Sequence, residues 1–264
     1  MHIIVPIKQV PETSNVKMDP ETGTMLRTGV ETIINPLDLY AIEEALRLRE
    51  LHDGQITVIS MGPPTAEKAL REACAMGCDQ GILLSDKLFG GADTWATAYT
   101  LSQAIRKIGS FDLIICGERA TDGDTGQVGP GIAAFLDLPM ATYVNKVEMV
   151  ESGLRISRLV ESGSELIWIP LPTVISVVKD IASPRLPTLR GMQKAKKSAF
   201  PVWHPQDIDA DLSSIGLAGS PTRVVKIFHP SVTRQGKVIH IKDPSDIEPA
   251  VSSLMDFLED HNLV

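Results

Sequence analysis

Within the first 140 residues, short runs of branched apolar residues alternate with amphipathic stretches of helical length, a rhythm that few architectures accept. The runs lie at residues 2–7 (HIIVPI), 55–60 (QITVIS), 80–85 (QGILLS) and 111–117 (FDLIICG), each of strand length and each followed by a turn signal. The first intervening helix is expected over residues 36–51, with Asn35 suited to its N-cap and Pro36 to its first position. A second is expected over 66–76, ending where Gly77 supplies a left-handed residue. Asp93 suits the cap of a third over 94–108, which ends at Gly109. A strand–helix alternation of this kind predicts an α/β fold: a mostly parallel, doubly wound sheet with right-handed crossovers.

Two stretches depart from the rhythm. Residues 10–34 are polar and turn-rich, and a small hairpin is expected there, pairing 16–18 with 25–27. Beyond residue 140 the pattern becomes antiparallel, with strands at 141–150, 154–160 and 165–169, then a buried strand at 172–178. Residues 183–197 (SPRLPTLRGMQKAKK) are basic, proline-punctuated and expected to be exposed. The rest, 198–264, shows no core of its own beyond an amphipathic helix near 247–261, so it is expected to lie as an arm against another chain. The expected organisation is a nucleotide-binding α/β domain over 1–183, a partner-recognition loop over 184–197 and a C-terminal arm over 198–264.

A net charge of −8 argues against nucleic acid as the main partner, because phosphate backbones are gripped by dense basic surfaces. No run approaches the roughly 18 apolar residues that a membrane span needs, and residues 1–8 read as a first strand and not as a signal peptide. Three cysteines (Cys74, Cys78, Cys116) are too few for a disulfide framework and read as small core residues. A cytoplasmic location is expected. The six histidines form no metal-ligand pair, and no side chain reads as a nucleophile or general base, so neither a metal site nor a catalytic residue is assigned.

The informative motif follows the strand at 111–116. Residues 117–131 (GERATDGDTGQVGPG) form a polar, glycine-rich turn, and the helix expected at 132–136 comes next. At the carboxyl edge of a parallel sheet this arrangement can present unpaired amides, such as those of 125–129, to phosphate oxygens. The helix dipole adds about 0.3–1 kcal/mol for an exposed anion. No Gly-Lys-Ser/Thr follows, so it is not a P-loop, and it is not a GxGxxG turn after the first strand. A loop whose glycines only make turns is the other reading of the residues alone.

With these segments the sequence resembles the electron-transferring flavoprotein beta subunit family nearly end to end. The matching stretches are VPIKQV (5–10), INPLDLYAIEEALRL (34–48), VISMGP (58–63), CAMGCDQGILL (74–84), CGERATDGDTGQVGPGIAAFLDLP (116–139) and PRLPTLRGMQKAKK (184–197). The resemblance implies an α subunit as heterodimer partner and an adenine-containing cofactor. The diphosphate would be held by Ala120, Thr121, Asp122, Gly123, Asp124, Thr125, Gly126, Gln127, Val128, Gly129, Pro130 and Gly131. Pro6, Lys8, Asn35, Pro36, Leu37, Asp38, Met61 and Gly62 would wall in the adenosine. From local sequence alone, Pro6 and Met61 are also explained as strand ends and Asn35 as a helix cap.

Ordinary members of that family bind AMP in this subunit, whereas electron-bifurcating members hold a second FAD. Residues 10–38 and LFGGADTWATAYTL (88–101) resemble the bifurcating branch, where Ala92, Asp93 and Thr94 would face the flavin's diphosphate or ribityl chain. Asp93 serving only as a helix cap is the plainer alternative. The branch implies NADH as electron donor, ferredoxin or flavodoxin as low-potential acceptor, and an acyl-CoA dehydrogenase docked through Leu189. A stand-alone AMP- or ATP-binding stress-protein-like sensor shares the general architecture.

Overall fold

The sheet is built from strands whose successive side chains enter opposite cores. In β1 (His2–Pro6), Ile3 and Val5 face one side and Ile4 the other. β4 (Gln55–Met61), β5 (Gln80–Leu84) and β6 (Leu113–Gly117) are similarly buried on both faces, which is why they read as continuous apolar runs. The computed structural model describes residues 1–12, 31–225, 236 and 238–263. They fall into two units, Met1–Lys226 and Ile227–Val264.

In the first unit, β7 (Met140–Val150), β8 (Gly153–Val160), β9 (Gly163–Pro170), β10 (Thr173–Val177) and β11 (Val202–Trp203) complete a nine-stranded sheet of order β11-β5-β4-β1-β6-β10-β7-β8-β9. Pairing is parallel from β11 to β7 and antiparallel across β7-β8-β9. Helices α1 (Pro36–His52) and α2 (Glu67–Met76) cover one face; α3 (Thr94–Ile108) and α4 (Val128–Leu136) cover the other. The doubly wound sheet and its antiparallel extension are therefore present as the sequence predicts.

The chain leaves β1 for β4 and β5 on one side, then returns to lay β6 on the other side of β1. The crossover direction reverses between β1 and β6, and the carboxyl ends of those two strands splay their following loops apart. That crevice is where open α/β sheets bind ligands.

Four expectations change. Helix α4 begins at Val128, four residues earlier than the sequence suggests, because Pro130 falls in the first turn, where its missing N–H costs nothing. The segment expected as an exposed loop is mostly helical: α5 (Leu189–Lys197) is capped by Thr188, whose Oγ1 accepts from Gly191 N–H at 2.9 Å, and it buries Ala195 against the α1/α2 core. Residues 198–225 do not stand apart as an arm. Leu83 N–H donates to Pro201 O and Ser85 N–H to Trp203 O, so β11 extends the sheet, while Ile208 and Ile215 enter the α3/α4 core. Finally, Asn35 sits at the N-cap position of α1 but makes no capping bond with its side chain.

The hairpin expected at 16–18 and 25–27 lies outside the described residues. On either side of it, β2 (Gln9–Pro11) pairs antiparallel with β3 (Thr32–Ile34). The second unit contains a short turn of helix at Pro244–Asp246 and α6 (Ile247–Asp260), which carries Ile247, Val251, Leu254 and Leu258 along one face. Among the described residues, no helix is long and apolar enough to cross a membrane.

Candidate functional site

The loop that follows β6 is held in place by a side chain that sequence reading assigns to something else. Asn35 is fully buried, and each of its polar groups is used. Its N–H donates to Lys8 O at 2.8 Å; its Nδ2 donates to Asp38 Oδ1 and to Arg119 O, both at 2.9 Å; its Oδ1 accepts from Thr121 N–H at 3.1 Å. One residue thus ties the end of β1, the start of α1 and the loop after β6, more than 80 residues downstream. A buried amide satisfied on every side is costly to replace, since any orphaned partner retains its full desolvation penalty.

Asp38 completes the clasp, with Oδ2 accepting from Lys8 N–H at 2.7 Å. Burial pushes its carboxyl up to about 7 against the opposing pull of Asn35 and Lys8. Gly117 is required beside it: a Cβ there would lie 2.3 Å from Asp38 Oδ1 and 2.9 Å from Leu37 O. Leu37 and Pro36 form the first turn of α1 at this point.

Beyond Thr121 the loop turns on the N–H groups of Gly123 and Asp124, both donating to Ala120 O. Its acidic side chains are neutralised locally. Lys8 Nζ meets Asp122 Oδ1 at 2.6 Å, and Arg119 Nε meets Asp124 Oδ1 at 3.1 Å. Asp124 (φ 54) and Gly126 (φ 64) adopt left-handed backbone, which bends the chain into α4. Among the described residues, no intrachain acceptor engages the amides of 125–129, whereas the next amide, Gly131 N–H, already donates to Gln127 O at 2.9 Å. Pro130 contributes no donor. The result is a shelf of vacant N–H groups at the positive end of α4, at the β1/β6 switch point.

The other expected residues divide into groups. Thr94 reaches this shelf, with Oγ1 donating to Gln127 Oε1 at 3.0 Å, so the N-termini of α3 and α4 stand side by side. Ala92 and Asp93 lead into that turn, and Asp93 caps α3 as the plainer reading has it, accepting from Ala96 N–H at 3.1 Å. Pro6 ends β1, Met61 ends β4 and Gly62 N–H donates to Leu84 O, all on the same carboxyl edge. Val128, Gly129 and Gly131 belong to α4; a Cβ on Gly131 would lie 2.6 Å from that of Ala98, so this glycine serves helix packing.

Leu189 lies on α5, which packs on α2, and is 78% exposed. Arg185 fastens the approach to it, with bonds to Glu43 and Glu50 of α1. Sequence reading missed this clamp, and it missed Ser220 and Thr222, which bond to Asp93. No local signal marks a serine 127 residues from its partner. The three cysteines are buried and free, their thiols pushed up by burial, Cys74 to about 11 and Cys116 to about 12.

Fold and site together define a doubly wound α/β protein with a row of unengaged amides at the switch point of its sheet. Residues 22–208 match the model of the electron transfer flavoprotein domain. The chain is 45% identical, over the full length of both, to an electron transfer flavoprotein subunit beta of Thermoanaerobacterium thermosaccharolyticum. It is 40% identical, again over the full length of both, to the caffeyl-CoA reductase-Etf complex subunit CarD of Acetobacterium woodii. Protein FixA of Sinorhizobium fredii is 43% identical across 91% of this chain and 87% of its own. The chain belongs to the electron transfer flavoprotein family.

Proposed function

We propose that this chain is the beta subunit of a heterodimeric electron transfer flavoprotein and that it binds a second FAD, in addition to one held by the alpha subunit. Electrons from NADH would enter at this subunit. They would leave to a low-potential acceptor, ferredoxin or flavodoxin, and through the alpha-subunit FAD to an acyl-CoA dehydrogenase. Supporting the last partner, one similar protein is named as part of a caffeyl-CoA reductase complex.

The observation that carries the reading is the row of unengaged amides at 125–129, flanked by the Thr94–Gln127 contact. The loop's carboxylates are neutralised by Lys8 and Arg119, so the donors left for a diphosphate are backbone N–H groups. These are fixed in direction, cost no side-chain entropy and suit an anion at a helix start. The N-terminus of α3 lies alongside, so a second positive helix end stands next to the shelf, which favours the longer FAD over AMP. When bound, FAD supplies the step between two-electron and one-electron chemistry. The chain's own residues fix the shelf: Asn35 and Asp38 set the loop's height, and the glycines admit the ligand close to the backbone.

The test is cofactor content. Denaturing the purified heterodimer and separating the released nucleotides should yield two FAD per αβ pair. One FAD and one AMP per pair would reject the bifurcating assignment, and a colourless chain that purifies alone with AMP or ATP would favour the sensor.

A further inference from the structure

The N-terminus of α3 is held from outside by a strap of chain, residues 211–222, that reaches back across it. Asp211 N–H donates to Tyr99 Oη at 3.0 Å, and Leu217 N–H donates to Gly90 O at 3.0 Å. Asp93 N–H donates to Ser220 Oγ at 2.8 Å, and that hydroxyl donates onward to Gly216 O at 2.7 Å. Asp93 Oδ2 accepts from both Thr222 N–H (2.9 Å) and Thr222 Oγ1–H (2.7 Å). The two strands of backbone interlock closely. A Cβ on Gly216 would lie 1.9 Å from Leu88 O, and one on Gly91 would lie 3.2 Å from the Leu217 side chain.

These contacts engage both carboxylate oxygens of Asp93. Oδ1 caps Ala96 and Oδ2 is taken twice by Thr222. Its neighbour Thr94 is the residue that reaches Gln127 on the amide shelf. The strap is thus bonded to Asp93, and the next residue along the chain, Thr94, meets only the Gln127 side chain, so what the strap fixes is the start of α3 and not the amides of the shelf.

We propose that Ser220 and Thr222 are positioning residues that hold the start of α3 beside the shelf and thereby select FAD over AMP. The inference rests on the reading that this subunit takes FAD. A mononucleotide is served by the amides of 125–129 alone, and these depend on Asn35 and Asp38 instead of the strap. A dinucleotide extends along a second helix start, and only that second start is fixed by Ser220 and Thr222. Pre-ordering it removes an ordering cost that FAD binding would otherwise bear.

The experiment compares FAD and AMP binding to the cofactor-stripped heterodimer by titration calorimetry, for wild type, Thr222→Val, Ser220→Ala/Thr222→Val and Thr222→Ser. Loss of hydrogen bonds of this kind should weaken FAD about ten-fold or more in the double variant. AMP should change by less than about two-fold, and Thr222→Ser, which keeps the hydroxyl, should stay near wild type. Equal losses for both ligands would mark a merely structural strap and overturn the proposal, as would unchanged FAD affinity. Thr222 is exposed, so the single Thr222→Val variant, with an expected loss of about three-fold for FAD alone, decides the matter if the double variant fails to fold. A wild-type heterodimer that takes AMP at this site but no FAD would instead sink the two-flavin reading, an outcome visible before any variant is made.

Discussion

Replacing Asp38 by asparagine should remove a pH dependence that the wild-type fold carries. The Asp38 carboxyl is buried at the switch point, where loss of water pushes it from an ordinary 3.8 up to about 7. Lys8 from the end of β1 pulls the other way, Asp122 from the loop pushes with burial, and the Cys116 thiol of β6 lies nearby. Because the folded state holds this proton more tightly than the unfolded chain, the associated stability is fully present below about pH 4 and lost as pH rises through about 7. Each unit of difference is worth about 1.4 kcal/mol, and integrating from about pH 5 to about pH 8 gives a loss of roughly 2.6 kcal/mol. Asparagine does not titrate, so the difference between wild type and Asp38→Asn isolates this group from every other. The assay is urea unfolding of the cofactor-stripped protein at half-unit pH steps. The wild-type stability should fall relative to the variant by about 2–3 kcal/mol over that span. Parallel curves would refute the argument. A difference of opposite sign would mean that the Lys8 and Asn35 donors outweigh burial.

Three other outcomes follow from the same contacts. Gly117→Ala should cost about 1–3 kcal/mol in thermal unfolding and lower cofactor content, because its Cβ would press on Asp38 and on Leu37 O. Asn35→Ala should loosen the loop after β6; cofactor affinity measured at a temperature where the variant is folded should drop by about ten-fold, reflecting about 1–3 kcal/mol of lost or orphaned bonds. Leu189→Ala should slow electron transfer to the proposed acyl-CoA dehydrogenase partner, by an amount equivalent to about 1–2 kcal/mol of docking energy, while leaving flavin content unchanged; unaltered transfer kinetics would dismiss the docking role.

The layered fold was legible because β1, β4, β5 and β6 are buried on both faces, and α3 is bounded by an aspartate cap and a glycine stop, signals contained within a few residues. What escaped were features decided by distant contacts. Val128-Gly129-Pro130-Gly131 reads locally as loop, but in the first turn of α4 residues 128–130 need no internal partner for an N–H, and Gly131 is selected by its closeness to Ala98. Residues 189–197 contain a glycine and follow two prolines, yet α2 supplies the surface that makes them helical; a Cβ on Gly191 would lie 2.1 Å from Ala75 O. Asn35 shows the limit most clearly. Its position before Pro36 is a good helix-cap signal, and the residue does stand at that position, but its side chain is spent on Asp38, Arg119 and Thr121. Ser220 and Thr222 gave no sign of their role, because the bonds to Asp93 span more than 120 residues.

The two-residue strand β11 has a significance out of proportion to its size. It covers the outer hydrogen-bonding groups of β5, whose residues Leu83 and Leu84 are buried, and Phe200 just before it fits over Gly81 with ring atoms within 3 Å of where a Cβ would stand. Lys107 caps the arrangement from above, its ammonium 4.8 Å from the centre of the Trp203 ring. A protein cut short before residue 198 would keep the amide shelf and every strand of the sheet except β11, yet it would present a bare, apolar ribbon to solvent. Such a ribbon recruits strands from other molecules. The stretch that looked like a tail is thus a seal, and its removal would register first as self-association.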